Sequence, residues 1–132
     1  MAIFESTEKM YEVLGGLFEG LMANPDVLEK SLKANLTVLF NISEPSGQIW
    51  LSPYDGGKVV CGPADFKPDV TMWISGDSCH AFWLKKLSMP VALAKRKIKT
   101  KGSLPKILKM IPMLGPAFEA YPDIAKKHGL PV

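Results

Sequence analysis

The feature that most narrows the fold is a change of hydrophobic period near residue 36. Upstream, Met10, Val13, Leu14, Leu17, Phe18, Leu21 and Met22 recur every three or four positions, which places them on one face of an α-helix. Downstream, Leu36, Val38, Phe40 and Ile42 alternate with Thr37, Leu39 and Asn41, the period of two that marks a strand. Helical spacing returns after residue 75, so the chain reads as α+β, with helices laid against a sheet.

Local signals set the element ends. Ser6 or Thr7 offers the first helix an N-cap, and Asn24-Pro25-Asp26 opens a second helix to about Lys33, with Val27, Leu28 and Leu32 as its apolar side. Gly15, Gly16 and Gly20 cost the first helix about 1 kcal/mol each relative to alanine, which suggests close backbone packing there. Glu44-Pro45-Ser46-Gly47 ends the first strand, residues 48–54 form the second, and Asp55-Gly56-Gly57 is a hairpin signal before a third strand at residues 58–61. Val70, Met72 and Ile74 alternate with Thr71, Trp73 and Ser75 in a fourth, so one face is apolar and the other carries an aromatic. The sheet is expected to be covered on one side. Asp77 or Ser75 caps a helix over residues 78–87, and a short turn follows, with Pro90 near the start of residues 91–94. Residues 95–101 alternate lysine with Ile98 and Thr100, as an edge strand guarded by charge does. Ser103 caps an amphipathic helix with Leu104, Ile107, Leu108 and Ile111 on its apolar side. The tail, residues 116–132, is expected to hold one or two helical turns broken at Pro122.

At 132 residues, with 47% hydrophobic and 22% charged residues, the chain is read as a single domain with a self-sufficient core. Its longest charge-free stretches fall well short of a membrane span, and its first residues lack the basic start and apolar centre of a signal peptide, so the expected compartment is the cytoplasm. Asn35-Leu36-Thr37 and Asn41-Ile42-Ser43 therefore carry no weight as glycosylation sites. Cys61 and Cys79 fit neither a disulfide scaffold nor a zinc site and are expected to be reduced and buried.

The net charge of +3 is unevenly placed. Residues 1–33 carry six acids against three lysines, whereas residues 78–118 contain no acid and nine of the sixteen basic residues. That asymmetry suggests an anionic partner, whether a lipid headgroup, a membrane surface, the phosphates of a ligand or nucleic acid; the plain alternative is a solvated lysine-rich edge. Trp50, Trp73 and Trp83 do not interleave with the lysines, which counts against nucleic acid.

Enzymatic chemistry finds little support. The two histidines, His80 and His128, sit in no metal motif, and no nucleophile elbow or phosphate loop occurs, so no catalytic residue, metal or cofactor is expected. Asp77 and His80 are read as a capping acid beside a surface histidine, and Cys79 as core because helical neighbours point about 100° apart. Met89, Met110 and Met113 cluster with leucines and isoleucines in a proline-interrupted segment, as in pockets that accept varied shapes.

Asp69-Val70-Thr71-Met72-Trp73-Ile74-Ser75, then a helix, then Arg96-Lys97-Ile98-Lys99-Thr100-Lys101-Gly102-Ser103-Leu104 resembles the sterol carrier protein 2 family. The element order matches over residues 10–115, with Asp69, Ile98 and Gly102 at family positions and Thr100 where members place a second aliphatic residue. The resemblance implies a five-stranded mixed sheet covered on one face by helices and enclosing an apolar tunnel for sterols, acyl chains, phospholipids or quinone-like molecules, which are bound and transferred without bond chemistry. The expected pocket is Val38, Phe40, Met72, Ile74, Phe82, Leu87, Ile98, Ile107, Leu108 and Ile111. Lys95, Lys97, Lys99, Lys101, Lys106 and Lys109 are expected to meet headgroups or an anionic bilayer. A related reading is an accessory protein that presents a quinone precursor to membrane enzymes.

Overall fold

A computed structural model describes residues 3–54, 56–65 and 67–132. Two helices come first, α1 (Thr7–Met22) and α2 (Pro25–Lys33). Strands β1 (Val38–Ser43), β2 (Gly47–Ser52), β3 (Lys58–Cys61) and β4 (Val70–Ser75) follow, then α3 (Gly76–Trp83), α4 (Met89–Ala94), β5 (Ile98–Gly102), α5 (Leu104–Met113) and α6 (Gly115–Lys127). The capping residues act as their chemistry suggests. Ser6 Oγ accepts from the Lys9 N–H, Asn24 Oδ1 from the N–H groups of Asp26 and Val27, Ser75 Oγ from Ser78 and Ser103 Oγ from Lys106.

The strands lie in the order β3-β2-β1-β4-β5. β1 runs parallel to β4 and antiparallel to β2, while β3 and β5 close the two edges in antiparallel pairs. This is the five-stranded mixed sheet implied by the family resemblance. Alternation sends Val38, Phe40, Ile42, Ile49, Leu51, Val70, Met72, Ile74 and Ile98 to one face, where they join the buried side chains of the helices in one core. Four rings gather at its centre: Phe18 stacks on Phe40 at 4.8 Å, and Trp83 meets Phe18 edge-on at 5.6 Å and Phe82 at 5.1 Å.

Helices cover that face, as expected, but the other face is not bare. Leu39, Trp50 and Thr71 are buried there, and the Trp50 indole donates to the Gly62 carbonyl at 3.0 Å, where the chain leaves β3 to cross to β4. The hairpin before β3 closes through Gly57 N–H to Tyr54 O, with Gly56 and Gly57 both at positive φ; Asp55 lies outside the described residues. Gly102, at φ 140, is confined by the Asp69 carbonyl, which a side chain in its place would strike.

Several expectations need correction. α3 ends at Trp83 rather than at Leu87, because Lys85 turns the chain at φ 64 and the Lys86 N–H closes on Ala81 O, and β5 begins at Ile98, because Lys95 N–H bonds back to Val91 O and Arg96 turns the chain at φ 58. The tail is not broken at Pro122. α6 runs through it, since Ala117, Tyr121 and Ala125 bury one face of the helix and that burial outweighs the lost hydrogen bond. Cys61 is exposed on an edge strand, not buried. Gly16 and Gly20 make no close approach: added Cβ atoms would meet nothing within 4 Å, and an apolar hollow of about 140 Å³ lies between them and Pro116, Ala117, Ala120 and Ile124 of α6. Gly16→Ala with Gly20→Ala is therefore expected to raise the denaturation midpoint, each change adding about 1 kcal/mol of helix propensity. A lower midpoint in a chemical melt would show that the hollow is needed.

Candidate functional site

The apolar openings flank α5. On one side, Phe82, Leu87, Met89, Ile111, Leu114 and Phe118 line a hollow of about 280 Å³, with Lys85 and Ser88 at its rim. On the other, Ala34, Leu108, Pro112 and Met113 floor a hollow of about 500 Å³ rimmed by Lys30, Lys33 and Lys109. α5 is the wall between the two. It packs against α2 and α6 and buries only Met110 and Met113, little for a helix of ten residues. A helix with so few buried apolar contacts belongs to the part of a fold that opens first. Leu104 and Leu108 stand 65% and 57% exposed on it, and Leu32 is exposed on the neighbouring α2.

The expected pocket residues separate into groups. Phe82, Leu87 and Ile111 line the smaller hollow, and Leu108 lines the larger. Ile107 is half-buried and packs against the core. Val38, Phe40, Met72, Ile74 and Ile98 lie in the closed core, at most 5% exposed. Met89, Met113 and Leu114, from the methionine-rich apolar run around the prolines, complete the linings, and Phe118 is the lining residue the sequence did not single out.

The six lysines do not share one surface. Lys99 and Lys101 pair with Trp73 and Thr71 and so lie on the outer face of the sheet. Lys97 borders a groove at the end of that sheet, Lys109 rims the larger hollow, and Lys95 is exposed in the turn after α4. Lys106 is engaged in the fold: its Nζ donates to Asp69 Oδ1 at 2.8 Å and to Asn35 O at 3.3 Å, while Asp69 Oδ2 accepts the Thr37 N–H at 2.8 Å. That clamp ties the first turn of α5 to the starts of β1 and β4, while Met110 and Met113 bury its far end, so the helix is least covered between them, at Leu108 and Lys109.

α6 is held differently. His80 is no surface residue: it is 5% exposed, its Nδ1 accepts from the Tyr121 hydroxyl at 2.7 Å, and its Nε2–H donates to the Pro131 carbonyl at 2.7 Å. The carbonyl requires a donor at Nε2, which fixes the tautomer. Asp77 turns away, its Oδ1 taking the Ile3 N–H. Burial holds the His80 pKa below its ordinary value, with Lys86 acting in the same direction against the Pro131 bond and Asp77. A histidine kept neutral by the fold stabilises it fully above the unfolded pKa of about 6.5, and that contribution is lost as pH falls through the folded value. The melting temperature is thus expected to fall more steeply below pH 6.5 in the parent than in His80→Gln. Parallel pH profiles would rule the latch out. Nearby, burial pushes the Cys79 thiol up to about 12, with Trp83 opposing, so this cysteine is inert core.

Among the described residues, no cluster of histidine, cysteine and carboxylate side chains is placed to hold a metal ion, and no helix is long and apolar enough to cross a membrane.

A search of curated protein sequences returns no match. Solved structures share the fold. The sterol carrier protein domain 2 of Helicoverpa armigera is 22% identical with a TM-score of 0.68, covering 83% of this chain and 87% of that one. Sterol carrier protein 2 from Yarrowia lipolytica, in its apo form, is 20% identical with a TM-score of 0.62 over 77% of this chain and 87% of that one. A ubiquinone synthesis protein, UbiJ-SCP2, is only 9% identical, with a TM-score of 0.57 over 77% and 85%. At these identities the likeness speaks for the fold. Membership rests on the sequence: residues 17–115 match the model of the SCP-2 sterol transfer family, and the chain, matched over well more than half its length, belongs to that family.

Proposed function

We propose that the protein is a carrier that takes up an apolar ligand, such as a sterol, acyl chain, phospholipid or quinone-like lipid, and delivers it without bond chemistry. The observation that carries this reading is the pair of apolar hollows on either side of α5, a helix clamped at its first turn and lightly buried along the rest. Displacing α5 would join the two into a space within the range of ligand sites, and the methionines and leucines that line it adapt to varied shapes. Family membership and the shared fold support the same reading.

In this scheme loading takes place at an anionic bilayer. Leu108 presents apolar surface beside Lys30, Lys33 and Lys109, and Leu32 and Leu104 are exposed on the same two helices, the pattern of an amphipathic element that rests at a membrane interface. Leu104→Asn with Leu108→Asn should weaken binding to vesicles containing phosphatidylserine by about tenfold, while added salt weakens the parent. Equal affinity of the variant and parent would move the docking face elsewhere.

Native mass spectrometry of the purified protein, followed by extraction of whatever accompanies it, tests the carrier reading directly. A discrete adduct released as a lipid or quinone would support it and name the cargo class. A protein that arrives empty and then takes up nothing from a panel of fatty acids, phospholipids and sterols would refute it.

A further inference from the structure

A second groove, of about 630 Å³, lies at the far end of the sheet from the Asp69 clamp, lined by Ser43, Trp73, Ile74, Ser75, Ser78, Arg96, Lys97 and Lys99. Its composition is unlike that of the hollows beside α5. β1 and β4 are parallel and end side by side here, with Ser43 opposite Ser75. α3 starts directly from the end of β4, so its N-terminal turn, with Ser78, opens at the same spot. The carboxyl ends of parallel strands, followed at once by a helix N-terminus, are where open α/β sheets place anionic ligands, because unpaired N–H groups and the positive end of the helix dipole meet there.

Three further observations make this more than a helix end. Arg96, Lys97 and Lys99 bring three cations from the neighbouring edge, and among the described residues none has a carboxylate partner. Arg96 is held at φ 58 by the turn that ends α4, where its N–H bonds to Leu93 O and the Lys97 N–H to Ala92 O, so the backbone of the two cations is fixed beside the groove. Trp73 stands 38% exposed opposite Lys99, an indole left in solvent beside the cations on a strand whose inward residues are all buried. Asp77, the acid in the first turn of α3, does not line the groove, being hydrogen-bonded to the Ile3 N–H.

We infer that this groove binds a phosphoryl group, with Arg96, Lys97 and Lys99 meeting its charge, the serine hydroxyls its oxygens, and Trp73 covering the group that carries it. The guanidinium of Arg96 suits the paired oxygens of a phosphate, and the indole offers a flat apolar surface to a glycerol or ring substituent. The inference stands apart from the carrier reading, since no residue of the groove lines the hollows beside α5. A phosphoryl group could come from a phospholipid headgroup or from a soluble phosphate ester.

Glycerol 3-phosphate and inorganic phosphate, titrated into isotopically labelled protein and followed by amide chemical shifts, test the soluble source. Phosphatidylcholine vesicles with and without phosphatidic acid, in a flotation assay, test the lipid source. The expected result is saturable binding in one of the two arms, with shifts confined to residues 43, 73–78 and 96–99 where the ligand is soluble. Arg96→Gln with Lys97→Gln should weaken that binding by about tenfold or more. Lys126→Gln with Lys127→Gln, which removes the same charge from exposed positions on α6, should leave it within about twofold. Because all four side chains are exposed, every variant is expected to keep the parent amide spectrum outside the altered positions. Binding in the soluble arm would identify a phosphate-ester site, and binding only to phosphatidic acid vesicles a headgroup site. No saturable binding in either arm, or an equal loss in the α6 variant, would overturn the inference.

Discussion

Replacing Trp83 by alanine is expected to lower the unfolding free energy by about 3–5 kcal/mol, the range for truncating a large aromatic in a packed core. The side chain is 0% exposed and in contact with three phenylalanines, at ring separations of 5.6 Å to Phe18, 5.1 Å to Phe82 and 5.1 Å to Phe118. Those rings come from α1, α3 and α6, so no single backbone shift can refill the space. Its Nε1 is buried without a well-formed hydrogen bond and has only the inert Cys79 thiol for a neighbour, so the change chiefly removes packing. Denaturant melts should show a lower midpoint at an unchanged slope. A loss under about 1 kcal/mol would mean that the ring cluster is far looser than its spacing implies.

Ile111→Asp is the change expected to affect uptake most. Ile111 is half-buried and lines the smaller hollow opposite Phe82, Leu87 and Phe118, so a carboxylate there would face the ligand rather than the packed core. Setting that charge against an acyl chain is strongly unfavourable even with Lys85 at the rim, and uptake of a fluorescent fatty acid should weaken by about tenfold or more while the circular dichroism of the variant stays native. Ile111→Leu, which keeps the apolar lining, should bind like the parent. Full uptake by a folded Ile111→Asp would exclude this hollow. Met72→Asp offers no such discrimination: Met72 is 1% exposed in the core, and its replacement would unfold the domain before any ligand could report.

How much could be read in advance depended on how far away the deciding partner lay. The N-caps and the alternating strands are properties of a few adjacent residues, so Ser6, Asn24, Ser75 and Ser103 marked helix starts, and Val70, Met72 and Ile74 marked an inward face. His80 could not be read in the same way, because its partners Tyr121 and Pro131 lie 41 and 51 residues further on. Lys106 resembled the other lysines until Asp69, 37 residues earlier, proved to hold it. Pro122 argues against a helix locally and is overruled by the burial of its neighbours Tyr121 and Ala125. For the candidate site, the apolar run of α5 was legible, while the division of space into two hollows depends on how that helix sits between α2 and α6.

The pairing of α1 with α6 bears on the order in which the chain can mature. The first helix finishes its burial against the last, and β1 takes β4 as a parallel neighbour across two intervening strands. Contacts so distant along the chain close slowly, because the loop entropy is spent before they are rewarded. On a ribosome, Leu17 and Leu21, which face α6, therefore stay uncovered until the helix ending at Lys127 has emerged, so the nascent chain displays part of the apolar face of α1 through most of the synthesis of this domain. For a protein whose native surface is rich in lysine, the period of greatest exposure to non-specific apolar partners falls during synthesis.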